Sequence, residues 1–226
     1  MLLSIVIPTL DAAGSLGPTL AAINGEGGGF EIEIIITDGG SNDAIRDVAR
    51  AAGARVITAA GGRGPQLCAG AAEAKGAWLM FLHADTRLAL GWRAHVAAFI
   101  GDPENRERAA TFRFALDDDG APARRLERMV AWRFRALGLA YGDQGLIIGQ
   151  EFYSRLGGFA PLVLMEDVDM ARRIGRKRLV MLDCKAVTSA ARYREGGYLL
   201  RPARNIFCLG LYFLGVPVGI IARIYR

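Results

Sequence analysis

The chain has 226 residues, 52% of them hydrophobic, a formal net charge of +5 and a pI near 9.4. That length suits one α/β domain burying roughly 70% of its unfolded surface. The basic balance points to anionic partners, phosphates or an anionic membrane surface, and away from nucleic acid, because no aromatic-interleaved basic groove or reader motif is present. Cys68, Cys184 and Cys208 show no metal spacing and cannot all pair, so a reducing, cytoplasmic setting is expected.

Leu2–Pro8 is an apolar, β-branched run that leads into Thr9, Leu10 and Asp11. It carries no basic stretch, so no secretory signal is expected ahead of it. A helical pattern follows from Ser15 to Ile23, then a second strand, Glu31–Asp38, which ends in Asp38-Gly-Gly-Ser-Asn-Asp43. Asn42–Ala52 is again helical, with Ile45, Val48 and Ala49 as its apolar side. Arg55–Thr58 is a short strand. The glycine-rich stretch Gly61–Gly70 after it fails the dinucleotide fingerprint, since Leu67 stands where the third glycine belongs, and no phosphate loop with Gly-Lys-Ser/Thr is present. It reads as a tight turn opening a helix of small residues.

Five apolar residues, Trp78–Leu82, form a buried strand that stops at His83, Ala84 and Asp85. By itself Asp85 is either a turn cap or a ligand for a hard cation, which binds one or two carboxylates plus phosphate oxygens. Strands alternating with helices predict a parallel sheet, so Asp11, Asp38 and Asp85 are expected to converge at the edge where such sheets bind ligands.

In the second half, Ala110–Leu116 alternates as a strand and Asp117-Asp-Asp-Gly120 turns, its acids solvated or metal-binding. Ala121–Leu137 is an amphipathic helix. Its arginines (124, 125, 128, 133 and 135), like the basic stretch 172–178, form either solvated helix faces or an anion-attracting surface. Asp143 and Gln144 precede a strand and are candidates to face a second substrate. Leu156-Gly-Gly-Phe159 leads to Glu166, Asp167 and Asp169 at a helix start, where acids also suit the helix dipole. Ile206–Ala222, seventeen uncharged residues between Arg201/Arg204 and Arg223/Arg226, is too short and too interrupted by Pro217 and glycines to favour a membrane span. It reads as a buried or self-associating helix or as an interfacial anchor.

Ser4–Pro8, Ile36-Thr-Asp-Gly-Gly-Ser-Asn-Asp43 and Phe81-Leu-His-Ala-Asp85, in this order and spacing, resemble the family 2 glycosyltransferases with the GT-A fold. The Leu82-His-Ala-Asp-Thr86 motif is similar to a bacterial subgroup associated with radical-SAM and seleno-domain proteins. The resemblance covers 1–90 most clearly and 140–180 less so. It implies an α/β GT-A fold, a mostly parallel central sheet flanked by helices, as a single domain over 1–200 with the donor nucleotide in 1–100, the acceptor in 101–200, and an apolar helical extension at 201–226. It implies inverting transfer of a sugar from a nucleotide-diphosphate donor to an acceptor hydroxyl, assisted by Mg²⁺ or Mn²⁺ on Asp85. Pro8, Thr9, Asp11, Asp38, Arg63, Gln66 and Ala84 would bind the donor, and Asp143 and Gln144 the acceptor. Asp167 would be the general base with Glu166 orienting or capping beside it. Two departures weaken the metal motif: His83 stands where the family's first Asp of Asp-X-Asp belongs, and Thr37 replaces an acid in the second motif. A nucleotidyltransferase and a non-catalytic sugar-nucleotide-binding protein are the rival classes. The former usually has a glycine-rich basic loop where this chain has Pro8-Thr-Leu-Asp11. Expected partners include a membrane surface touched through 205–226 and a second copy of the chain.

Overall fold

The computed structural model describes residues 1–225; Arg226, one of the basic flanks of the apolar tail, lies outside the described residues. In chain order the elements are β1 (Leu2–Thr9), α1 (Ala13–Asn24), β2 (Glu31–Asp38), α2 (Ile45–Ala51), β3 (Arg55–Thr58) and α3 (Arg63–Glu73). Then come β4 (Trp78–Phe81), β5 (Thr86–Leu88), α4 (Trp92–Gly101), β6 (Ala109–Leu116), α5 (Ala121–Leu137) and β7 (Leu146–Gly149). The chain closes with α6 (Gln150–Arg155), α7 (Glu166–Ile174), β8 (Leu179–Thr188), α8 (Ala191–Gly196), α9 (Leu200–Phe213) and α10 (Val218–Tyr225).

One sheet of eight strands runs in the order β3-β2-β1-β4-β7-β6-β8-β5. The first four are parallel, as the alternation of strands and helices requires. The parallel expectation is too simple beyond them: β7 runs antiparallel to both β4 and β6, and β5 antiparallel to β8, while β6 and β8 are parallel. β6 and β7 are joined through α5 and still run antiparallel, so a helix between two strands does not by itself make them parallel.

Both faces of the sheet are covered, which explains the near-continuous apolar runs. Leu3, Ile5 and Ile7 of β1 pack with Leu16, Leu20 and Trp92 on one side; Val6 packs with Leu67 and Phe159 on the other. The uncharged tail is not one helix. Gly215, at φ +82, and Pro217 separate α9 from α10, and the pair folds back. Cys208, Leu209 and Ile221 dock on Leu164, Val168 and Ala171 at and before α7. Among the described residues, no helix is long and apolar enough to cross a membrane.

Candidate functional site

Because β1, β2 and β4 are parallel, their C-terminal ends share one edge, but the acids there do not share one pocket. Asp38, at the end of β2, is fully buried. Its Oδ1 accepts hydrogen bonds from Ser41 N–H (3.0 Å) and Ser41 Oγ–H (2.5 Å), whereas Oδ2 has no hydrogen-bond partner and only Arg46 Nη2 within ion-pair range at 3.8 Å. Asp11, at a φ of +48, clips the two loops together by accepting from Asn42 N–H (2.9 Å) while its own N–H donates to Ser41 Oγ (2.9 Å). Pro8 and Thr9 are buried in β1. Gln66 spends its amide N–H groups on Thr9 O (2.6 Å) and Thr37 O (2.7 Å), which ties the ends of β1 and β2 to α3. Ala84 is buried in the core, its carbonyl accepting from Thr19 Oγ–H at 2.8 Å.

Asp85 faces a different space. An open cleft of about 820 Å³, counting room open to solvent, is lined by Arg63, Asp85, Asp143, Asp167, Tyr193 and Arg201, among others. Its floor is the β4 edge, and one wall is the start of α7. Glu166 there is 1% exposed and pairs with Arg63 Nε at 3.1 Å, yet its Oε2 has no partner. Burial, and then the charge of Asp167, push the Glu166 carboxyl up to about 7 in spite of Arg63. Asp167 Oδ2 accepts from Gly142 N–H (2.9 Å) and Oδ1 from Val168 N–H (2.7 Å), so its direction is set by two backbone groups. Gly142 can stand so close only because it lacks a side chain; a Cβ there would lie 2.3 Å from His83 Nε2. The start of α3 meets the loop before α7 in the same way: a Cβ on Gly64 would lie 2.3 Å from Leu162 O.

His83 accepts a hydrogen bond on Nε2 from Arg63 Nη1 (3.5 Å). Burial, then the charges of Arg63 and Arg192, push its imidazole down to about 3, so it is neutral. Asp143 and Gln144 part company. Asp143 lines the cleft. Gln144 is fully buried and points away, its Oε1 accepting from Arg133 Nη2 (3.1 Å) and Tyr141 N–H (3.4 Å) and its amide donating to Phe112 O (3.3 Å).

The two arginine-rich stretches mostly serve structure. Arg124 pairs with Asp119 and Glu127, Arg133 lies 3.4 Å over the Tyr141 ring, and Arg173 pairs with Asp169. The acidic turn is likewise tied down, Asp118 by Tyr198 Oη–H (2.6 Å) and Arg194. The cleft also draws on Arg192, Tyr193, Arg201, Asn205 and Tyr225, which the sequence motifs do not mark as site residues. The spacing of Arg201 and Asn205, one turn apart on an amphipathic helix, carries that signal. Among the described residues, Arg192 and Arg201 form no ion pair.

Among the described residues no three His, Cys, Asp or Glu side chains converge as a closed metal set. Mg²⁺ and Mn²⁺ do not need one when substrate phosphates supply the other oxygens. Asp85 at the cleft and the unpartnered Oδ1 of Asp143 fit that kind of site.

Solved structures share this fold. Glucosyl-3-phosphoglycerate synthase from Mycobacterium tuberculosis, in complex with Mn²⁺, UDP and glucosyl-3-phosphoglycerate, superposes with a TM-score of 0.62 at 19% identity over 95% of this chain and 80% of that one. A complex of the same protein with Mg²⁺ and UDP gives 0.63 at 21% identity, with the same coverage. S. aureus TarS (1–349) gives 0.66 at 15% identity over 100% of this chain and 69% of that one. No curated protein matches the chain significantly in sequence. The pattern of one family, Glycosyl transferase family 2, matches residues 4–149, which span β1 to β7 and hold Asp11, Asp38, Asp85 and Asp143. The chain belongs to glycosyl transferase family 2 and is a glycosyltransferase built on the GT-A fold.

Proposed function

We propose that the protein is an inverting, metal-assisted enzyme that moves a sugar from a nucleoside-diphosphate donor to an acceptor hydroxyl. The observation that carries this reading is the meeting of Asp85, from the strand edge, and Asp167, from a helix start, in one cleft. The nucleoside would lie along the rim at Pro8, Thr9, Asp11 and Asp38, where Asp38 Oδ2 is free to accept from a base or ribose. Gln66, Asp11 and Ala84 act there mainly by holding the strand ends and loops in place. Asp85 would hold the divalent ion, which would supply charge neutralisation for the leaving diphosphate. Arg63, fixed by Glu166, adds a fork of donors toward the same phosphates.

Asp167 takes the proton from the acceptor hydroxyl. Its two backbone hydrogen bonds fix its direction and leave lone pairs for the incoming O–H. Proton removal of this kind contributes about 10²–10⁴-fold. Glu166 is the lesser candidate, since Arg63 already occupies one of its oxygens. Arg192, Arg201, Asn205 and Tyr225 bound the side from which the acceptor enters.

UDP is the first donor nucleotide to try, because the M. tuberculosis enzyme of the same fold is described with it. Calorimetry with nucleoside diphosphates, with and without Mn²⁺, tests the reading: saturable, metal-dependent binding supports it, and its absence for all of them would sink it. The Leu82–Thr86 motif supports membership of the radical-SAM-associated subgroup. A cytoplasmic, peripheral contact with an anionic membrane through 205–226 is supported by exposed Phe207, Leu214 and Ile220 beside Arg223. The same apolar face also suits self-association, and co-sedimentation with anionic vesicles separates the two.

A further inference from the structure

The strand motif His83-Ala84-Asp85 brings one carboxylate where a diphosphate-bound cation takes one or two. His83 does not make up the deficit, because its Nε2 is occupied by Arg63. A second carboxylate arrives from elsewhere in the fold. β7 is the antiparallel neighbour of β4, with Leu146 opposite Phe81, so the turn that precedes β7 and the residues that follow β4 leave the sheet at one edge. Asp143 lies on that turn, three residues before Leu146.

The end of β8 then pins the two acidic residues side by side. Thr188 Oγ–H donates to Asp143 O (3.4 Å), and Ser189 N–H donates to Asp85 O (3.3 Å). Thr188 also bonds Thr86, next to Asp85, through their hydroxyls at 2.9 Å. Consecutive residues of one strand end thus hold both main chains, and both side chains face the same cleft.

We propose that Asp143 is the second protein ligand of the divalent cation, completing with Asp85 the carboxylate pair that the strand motif lacks. The inference rests on the metal-assisted reading above. Asp143 Oδ1 is shielded from solvent and has no hydrogen-bond partner within the protein. A buried carboxylate oxygen in that state is unfavourable unless something outside the protein pairs with it. A divalent ion held by Asp143 and Asp85 would supply that partner.

The test measures Mn²⁺ binding to metal-free protein by electron paramagnetic resonance and calorimetry in the presence of UDP, with UDP binding in chelator as the control. In the wild type Mn²⁺ binds. In Asp143→Asn its affinity falls at least about tenfold, the lower end of what loss of even an outer-shell partner costs, while metal-free UDP binding is unchanged. Asp143→Cys, a second variant that does not depend on the first one folding, shifts the preference from Mn²⁺ to Cd²⁺, because a thiolate is a soft ligand. If Asp143→Asn binds Mn²⁺ as the wild type does while Asp85→Asn does not, Asp143 is no ligand and the metal-assisted reading stands. An unchanged Mn²⁺/Cd²⁺ preference in Asp143→Cys overturns the assignment equally. If wild-type protein with UDP takes up no Mn²⁺, this inference and the metal-assisted reading both fall.

Discussion

Residues 1–85 and 192–225 build opposite sides of one cleft by different means. On the strand side, Leu3, Ile5, Ile7, Leu79 and Met80 are all 0% exposed, and the acids at the rim sit on strands packed from both faces. On the tail side, α9 and α10 are short, break at Gly215–Pro217, and leave Leu199 84% and Leu214 81% exposed. The strand side holds its groups in fixed positions, as chemistry on a diphosphate requires. The tail side carries arginine, tyrosine and asparagine on a few turns of helix that touch the rest mainly through Cys208, Leu209 and Ile221. Under the proposed function the first region holds the donor and its cation, the second meets the acceptor, and Asp167, at the start of α7 between them, takes the acceptor's proton.

The sharpest way to break that division is Asp167→Asn. It should lower transfer by about two to four orders of magnitude while donor affinity persists. Single-turnover rates beside calorimetry decide it, and near-normal transfer would leave the start of α7 with a capping role only. Asp38→Ala comes next. It should weaken nucleotide binding by about 1–3 kcal/mol, the range for loss of a buried hydrogen-bonding partner, with little effect on the chemical step once donor saturates. Equal affinity in titrations of variant and wild type would remove Asp38 from the donor site.

Arg201→Ala probes the other wall. Acceptor KM should rise about tenfold with donor Kd unchanged, as for loss of a charged hydrogen bond. A matching loss of donor affinity would mean that the tail serves the diphosphate, and the division would fail. The smallest effect concerns Glu166. Its folded-state carboxyl, raised to about 7, lies above the unfolded value near 4.5, so folding takes up protons in that window. The stability it contributes is complete below pH 4.5 and is lost as pH rises through about 7. Glu166→Gln should flatten this decline, whose slope is at most about 1.4 kcal/mol per pH unit for one proton. Chemical denaturation of metal-free protein at several pH values reads it directly; an unchanged slope would place the titrating group elsewhere.

Much of the strand side was legible before any coordinates. Glu31–Asp38, Arg55–Thr58 and Ala121–Leu137 fall within the bounds read from hydrophobic pattern and turn residues, and Trp78–Leu82 ends one residue early. Buried parallel strands announce themselves as apolar runs, and each acid at a run's end marks the rim. The tail was not legible in this way. An uncharged run of seventeen residues fits a buried, a self-associating or an interfacial helix, and composition cannot show that it folds back to line a cleft. In the sequence Gln144 and Asp143 form one polar pair ahead of a strand. In a tight turn, neighbouring side chains diverge, and only one of the two reaches the cleft.

The sequence by itself determined the fold class, the family and the acidic strand ends, because those depend on local periodicity and on residue types at short spacing. Only the tertiary structure decided that the rim divides into an Asp38 station and an Asp85 cleft, and that Asp143 lines the same cleft as Asp85 although the two are 58 positions apart in the chain. It also decided that Arg201 and Tyr225 close the far side. Those juxtapositions come from an antiparallel β7 and from hydrogen bonds at the end of β8, and pairing between distant strands leaves no mark on any local pattern.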